Sequence, residues 1–231
     1  MNGVDPRGIG RRVHEERQAE VPRSAALAVP AQEPGLRPAR PVPYELDALG
    51  EVDAPNGAVS IHFGNTGKSA AVFQVRSGDG QDGPWTYTVG SQAAATETWS
   101  LAANGRTAYD LSVYGPNGFL RAFKGSLNGR GEANLGVSSS YDTAVGGISL
   151  DVCNRGRLTS KVSILDHYNK QTISRALAPG ESWSRSWSLE HSFSWYDFTI
   201  EVESDPSFRR RLAGHVETGT DSMSDPAIGA S

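Results

Sequence analysis

The sequence predicts an all-β chain, two tandem antiparallel β-sandwich modules after a disordered N-terminal leader. Three observations carry that expectation. Gly and Pro, 26 and 13 of 231 residues, interrupt the chain too often for long helices. From Tyr44 onward, apolar and polar residues alternate in short runs bounded by Gly, Asn and Asp, the period-two pattern of half-buried strands. The pattern also occurs twice. Val59-Ser-Ile61-His-Phe63-Gly-Asn65-Thr-Gly67-Lys68 answers to Ile148-Ser-Leu150-Asp-Val152-Cys-Asn154-Arg-Gly156-Arg157. Trp99-Ser-Leu101 matches Trp187-Ser-Leu189, Tyr109 to Val113 matches Tyr196 to Ile200, and Phe119 to Gly125 matches Phe208 to Gly214. Matched landmarks in one order mark a duplicated unit.

The leader is residues 1–43. It holds seven prolines and seven arginines and no aromatic residue, so it buries too little apolar surface to offset its ordering entropy. The first module, 44–127, divides into seven expected strands: Tyr44 to Leu49, Val59 to Phe63, Ala71 to Arg76, Trp85 to Val89, Thr96 to Leu101, Tyr109 to Tyr114 and Phe119 to Ser126. The second, 131–219, gives Ala133 to Tyr141, Gly147 to Cys153, Ser160 to His167, Gln171 to Leu177, Ser182 to Leu189, Trp195 to Val202 and Phe208 to Val216. Residues 220–231 form a tail. Seven short strands in such a span suit a small antiparallel sandwich. Period two puts Val59, Ile61 and Phe63 on one face, and Tyr109, Leu111 and Val113 on one face, with Asp110 and Ser112 opposite.

Turn chemistry fills the gaps. Asn65-Thr-Gly67 and Asn154-Arg-Gly156 read as short hairpin loops with Gly at positive φ, and Pro116-Asn-Gly118 as a turn between adjacent strands. Asn128, Gly129 and Gly131 make a turn-rich joint between modules near Leu127 to Ala133.

Composition excludes several function classes. No apolar run approaches the roughly 20 residues of a membrane-spanning helix, so no transmembrane segment is expected. A net charge of −4 gives no general attraction to nucleic acid. Cys153 is alone, so no intrachain disulfide forms. The apolar stretch Ala25 to Val29 is too short for a signal-peptide core, and Arg11-Arg12 is followed by Glu15 and Glu16 rather than apolar residues. No signal peptide is recognisable.

Catalytic patterns are missing as well. The five histidines (His14, His62, His167, His191, His215) show no metal-ligand spacing, and there is no Gly-x-Ser-x-Gly elbow or phosphate-binding Gly loop. Neither a catalytic residue, a metal site nor a cofactor is expected. Cys153, in an alternating strand without a sequence-evident His partner, reads as an idle thiol.

Tyr109-Asp-Leu-Ser-Val-Tyr-Gly-Pro-Asn-Gly-Phe-Leu-Arg-Ala-Phe123, with Ala71-Val-Phe-Gln-Val75, resembles the C-terminal domain of bacterial phosphatidylcholine-type phospholipases C, which occurs as a tandem pair in that family. The second copy is similar through Trp195 to Thr199 and Phe208 to Gly219, and Ser224-Asp-Pro-Ala227 resembles the way these enzymes finish. No stretch of this sequence resembles the family's catalytic domain. The resemblance therefore implies a non-catalytic accessory region of a secreted enzyme. The parent reaction would be hydrolysis of phosphatidylcholine to diacylglycerol and phosphocholine, and this chain alone is expected to be inactive. The implied partner is the catalytic domain, by docking, or a phosphatidylcholine surface. The alternative is a freestanding β-sandwich protein recognising lipid, glycan or a partner protein.

Aromatic residues near turns are the remaining binding candidates. Trp85, Phe119, Phe193 and Trp195 are candidate lipid or partner contacts, with Arg121 and Lys124 as exposed charges close in sequence to Phe119.

Overall fold

The computed structural model describes residues 35–80, 82–127 and 133–229. Among these the strands run β1 (Pro38–Ala39), β2 (Leu46–Asp53), β3 (Ala58–Asn65), β4 (Ala71–Ser77), β5 (Trp85–Val89), β6 (Ala93–Ser100), β7 (Ala108–Tyr114) and β8 (Leu120–Ser126). They continue as β9 (Leu135–Asp142), β10 (Gly147–Asn154), β11 (Ser160–Asp166), β12 (Gln171–Leu177), β13 (Ser182–Ser188), β14 (Trp195–Val202), β15 (Asp205–His215) and β16 (Ser222–Met223). The fourteen strands from β2 to β15 fall where the alternation predicts them, within a few residues at each end.

Alternation decides which side chains meet. Val59, Ile61 and Phe63 of β3 point inward, as do Tyr109, Leu111 and Val113 of β7, and all six are buried. In the first half they join Phe73, Val75 and Phe119 in one apolar core; in the second, Ile148, Leu150, Val162, Phe198 and Ile200 form another. Each core lies between a three-stranded sheet, β2-β3-β6 or β9-β10-β13, and four strands of a larger sheet.

The larger sheet is shared, which the alternation did not reveal. Its order is β12-β11-β14-β15-β8-β7-β4-β5, continuous through antiparallel pairing of β8 with β15. Arg210 pairs with Phe123, Arg211 with Ala122 and Leu212 with Arg121. Ala122 and Arg211 hold the same position in the two copies, so their pairing marks a pseudo-two-fold axis through the sheet. Each half closes the edge strand of the other, hiding backbone groups that an isolated sandwich would expose. The smaller sheets also meet, at β2 and β9, where Tyr141 Oη donates to the Leu46 carbonyl at 2.9 Å.

Three expectations change. First, Asn65-Thr-Gly67 and Asn154-Arg-Gly156 are not hairpin loops: they carry the chain from a small sheet to the large one, and neither glycine has positive φ. Both asparagines are buried, and their side chains hold the crossing. Asn65 Nδ2 donates to the Ser69, Val89 and Gly90 carbonyls while its Oδ1 accepts from Gly67 N–H; Asn154 does the same with Leu158, Leu177 and Gly156. Gly67 is needed for space, since a Cβ there would lie 2.5 Å from the Pro43 carbonyl oxygen. Second, the expected leader boundary at residue 43 is late, because β1 pairs with β16 and Val42 N–H donates to Glu217. Residues 1–34 of that leader lie outside the described residues. Third, the joint at 128–132 also lies outside them, so its turns are not placed.

Pro116-Asn117-Gly118 does turn β7 into β8, with Asn117 at φ 53° and Gly118 at φ 72°. A Cβ on Gly118 would approach the Trp195 ring to 2.8 Å, so this turn also touches the second half. Gly118→Val combines left-handed strain with that clash. It is expected to destabilise the protein by about 1–3 kcal/mol, measured as a lowered midpoint of chemical denaturation.

Candidate functional site

Two arginines dominate the seam, and they are equivalent in the repeat. Arg121 on β8 and Arg210 on β15 are 1% and 4% exposed. Each follows the strand's inward phase, Phe119-x-Arg121-x-Phe123 and Phe208-x-Arg210-x-Leu212, and each reaches a tyrosine of the other half. Arg121 Nη1 donates to Tyr196 Oη at 3.1 Å, and Arg210 Nη2 to Tyr109 Oη at 2.8 Å. Aromatic faces complete both sites: the Arg121 guanidinium carbon lies 4.5 Å from the Phe119 ring centroid, and that of Arg210 lies 4.3 Å from Phe208. Ring quadrupoles offset part of the desolvation cost of these cations.

A glycine makes room for each tyrosine. Tyr109 crosses Gly125 on β8 and Tyr196 crosses Gly214 on β15; Cβ atoms there would lie 2.4 and 2.8 Å from the phenol oxygens. The phenol oxygens thereby reach the opposite arginines.

Around Arg121 polar partners from both halves converge. Its Nη2 donates to Tyr141 Oη at 2.6 Å and to Ser139 Oγ at 3.2 Å, and its Nε lies 3.5 Å from Asp47 Oδ1. That last contact is ionic only, because the Nε–H is buried without a hydrogen-bond acceptor. Tyr141 spends its one hydroxyl proton on the Leu46 carbonyl, so in the 3.0 Å contact between the two phenols Tyr196 is the donor. Burial works to lower the Arg121 pKa, but Tyr141, Tyr196 and Asp47 together outweigh it, and the group is held charged. Burial pushes the Tyr141 phenol well above its ordinary value, partly opposed by Arg121.

A second constellation joins the two ends of the described fold. Glu217 accepts from Val42 N–H at 3.1 Å, Asn117 Nδ2 at 2.6 Å and His215 Nδ1 at 2.9 Å. Burial works to raise its pKa, and these three donors overcome that, so the carboxyl sits below its ordinary value. Trp195 is buried beside His215, with ring centroids 4.9 Å apart, and donates from Nε1 to the Met223 carbonyl at 2.9 Å. Phe193, next to it, is exposed at φ 54°.

The sequence-chosen residues thus separate into three places. Phe119, Arg121 and Trp195 are corrected from surface to interior: Phe119 packs edge-on against Phe73, Arg121 belongs to the seam, and Trp195 packs on His215. Trp195 and Phe193 come together at the chain ends. Trp85 and Lys124 come together on one groove of about 320 Å³, where Trp85 meets Trp99 edge to face at 5.5 Å and Lys124 pairs with Asp110 at 2.9 Å. Among the described residues no group of three or more His, Cys, Asp or Glu is positioned to hold a metal ion. No described helix is long and apolar enough to cross a membrane.

The duplicated sandwich and its seam coincide with a known unit. The family model for the bacterial phospholipase C C-terminal domain matches residues 38–126 and again 135–215. The chain belongs to this family. A non-hemolytic phospholipase C from Burkholderia pseudomallei is 44% identical over 211 residues, covering 88% of this chain and 29% of that protein. From Pseudomonas aeruginosa, a non-hemolytic phospholipase C is 38% identical, covering 89% and 30%, and a hemolytic phospholipase C is 36% identical, covering 87% and 31%. The chain therefore spans less than a third of the length of these relatives.

For a phospholipase C C-terminal domain pair, the residues that sequence reasoning missed are Arg210, Tyr109, Tyr196 and Tyr141. A signal was present. An arginine recurs in the buried phase of the same strand in both copies.

Arg121→Ala is expected to cost about 3 kcal/mol or more, because the phenols, Ser139 and Asp47 lose their common donor; Tyr109→Phe and Tyr196→Phe are each expected to cost about 1 kcal/mol. Denaturant titration measures all three. Because the folded-state pKa of Glu217 lies below its unfolded value, its contribution is complete above about pH 4.5 and is lost as pH falls through the lowered folded value. Glu217→Gln is expected to reduce stability at neutral pH and to flatten the acid limb of the stability profile, read from melting temperatures between pH 7 and 3.

Proposed function

We propose that this chain serves as the non-catalytic C-terminal accessory region of a bacterial phospholipase C, docking to the catalytic part through the surface around the chain ends. One observation carries the reading. Leu36, Val145 and Phe193 are exposed apolar residues, and the hydrogen bonds around them join into one region. Arg37, beside Leu36, donates its N–H to Ser224 Oγ while its carbonyl accepts from Ser224 N–H; the Phe193 carbonyl accepts from Ser222 Oγ; and Gly146, beside Val145, abuts Ser194. Leu36 and Val42 belong to the N-terminal side of the described fold, so a domain tethered ahead of them would meet this region at high effective concentration. Apolar residues at such a place suit an interdomain contact. In the parent enzyme the reaction would be hydrolysis of phosphatidylcholine to diacylglycerol and phosphocholine, in a secreted protein.

The groove of Trp85, Trp99 and Lys124 favours a second reading, contact with a lipid surface, because an indole pair beside a lysine suits the membrane interface.

One set of measurements separates the two. Saturable binding to a separately expressed catalytic domain, weakened about tenfold or more by Phe193→Asp with Leu36→Asp, is the expected result. Vesicle binding lost in Trp85→Ala, without binding to the catalytic domain, would overturn docking in favour of lipid contact. The isolated chain is expected not to hydrolyse p-nitrophenylphosphorylcholine with or without divalent metal; turnover abolished by one substitution within it would overturn the accessory reading.

A further inference from the structure

His215 ends β15 with both ring nitrogens facing acceptors. Its Nδ1 lies 2.9 Å from Glu217 Oε1, and its Nε2 lies 3.1 Å from the Phe193 carbonyl oxygen and 3.1 Å from Ser222 Oγ. A carbonyl oxygen only accepts, and Ser222 Oγ donates its own proton to that carbonyl at 3.0 Å. Glu217 is ionised, since its carboxyl also accepts from Val42 and Asn117 and sits below its ordinary value. Both ring nitrogens must therefore donate, and the form of His215 that satisfies its neighbours is the imidazolium. The Trp195 ring, with its centroid 4.9 Å from that of His215, is a further partner for a cation.

The carbonyl that His215 holds belongs to a strained corner. Phe193 and Ser194 are consecutive non-glycine residues at φ 54° and 67°, the left-handed region that side chains disfavour. The corner joins the short turn Glu190–Ser192 to β14 and is tied by the bonds from Ser194 N–H to the Leu189 carbonyl at 3.0 Å and from Val216 N–H to the Ser194 carbonyl at 2.9 Å. Loss of the Nε2 proton sets a lone pair against the Phe193 carbonyl oxygen. Loss of the Nδ1 proton would set one against a carboxylate, which is worse. The ionisable residues on the elements around are Glu190 and His191 on that turn, Asp221 ahead of β16, Arg37 and Arg40 at the ends of β1, and Asp197 and Arg211, which pair with each other. Tyr44, Glu45 and Tyr141 line the small cavity beside His215 and Glu217. Among the described residues, the carboxylate in ion-pair contact with His215 is that of Glu217.

We propose that His215 is a pH-sensitive latch: the imidazolium holds the Phe193 carbonyl and Ser222 together with Glu217, and loss of its Nε2 proton frees the Phe193–Ser194 corner and β16. The direction follows from the bonds. The latch is held at lower pH and released as the pH rises through the titration of His215, whereas loss of the Glu217 charge opens its other side in acid, so it is closed between the two. Strain at two successive residues gives the corner a second arrangement to relax into. As a control on docking, the latch rests on the reading of Phe193 as a partner contact. As a device it belongs to this chain alone and is tested without a partner, so the two fail separately.

Nuclear magnetic resonance of the full chain between about pH 5 and 9 tests it, reading the ring nitrogens of His215 and the backbone amides of Phe193 and Ser194. The ring is expected to carry both protons at the acid end and to lose the one on Nε2 while keeping Nδ1–H, and the two amides are expected to shift with the same midpoint. Protection of the Val216 amide against hydrogen exchange should fall about tenfold or more across that titration. His215→Gln should abolish the amide shifts, and His62→Asn, on β3, should leave them as they are. The proposal is overturned if the neutral ring keeps its proton on Nε2, if the ring does not titrate in this range, or if the Phe193 and Ser194 amides do not follow it. Shifts that persist in His215→Gln would also overturn it, by assigning them to Glu190 or His191. Where His215→Gln does not fold, the outcomes read on the unaltered chain decide.

Discussion

The pairing of β8 with β15 is the constraint from which the rest of the architecture follows. An antiparallel sandwich of this size ends in an edge strand whose N–H and C=O groups require a partner. Here the partner is the corresponding strand of the duplicate. The cost of this solution is a seam where two inward side chains, Arg121 and Arg210, lose most of their water. Each cation is then stabilised by rings and by a phenol from across the axis. Backbone pairing and arginine exchange reinforce each other, because a slip by one residue would turn both guanidinium groups outward.

Duplication made the halves equivalent, and the seam shows where they have diverged. Tyr141, Ser139 and Asp47 fill one side of the axis with a hydrogen-bonded cluster, while on the other the Phe123 ring lies over Gly50 and the Arg155 guanidinium over Gly136. The divergence is local. The buried asparagines, the glycine under each tyrosine and the core positions are retained in both copies, because each answers a requirement internal to its own sandwich.

Much of this was legible in the sequence. Period-two alternation located fourteen strands, since a half-buried strand has one geometric solution for its side chains. The repeat gave the number of sandwiches. Alternation cannot say which strand lies beside which, so the shared sheet was hidden. Arg121 was misplaced for a related reason: its charge suggested solvent, whereas its phase with Phe119 and Phe123 pointed inward, and phase decided. The asparagine turns were misjudged because the sequence Asn-x-Gly is shared by hairpin loops and by sheet crossings, and only a buried side chain distinguishes them. Phe193 and Trp195 both stand near turns in the sequence, but only Phe193 is exposed; the bond from Trp195 to the Met223 carbonyl, which the sequence does not show, holds its indole inside.

That short pairing has a topological consequence. By joining Pro38–Ala39 to Ser222–Met223, it brings the two ends of the described fold side by side and turns the covalent chain into a nearly closed ring. Three sets of contacts then hold the halves together besides the peptide connection: the ends, the paired β8 and β15, and the meeting of β2 with β9. A nick between Leu127 and Ala133 would leave two fragments still clasped as one body, so the covalent link there is needed for assembly more than for persistence.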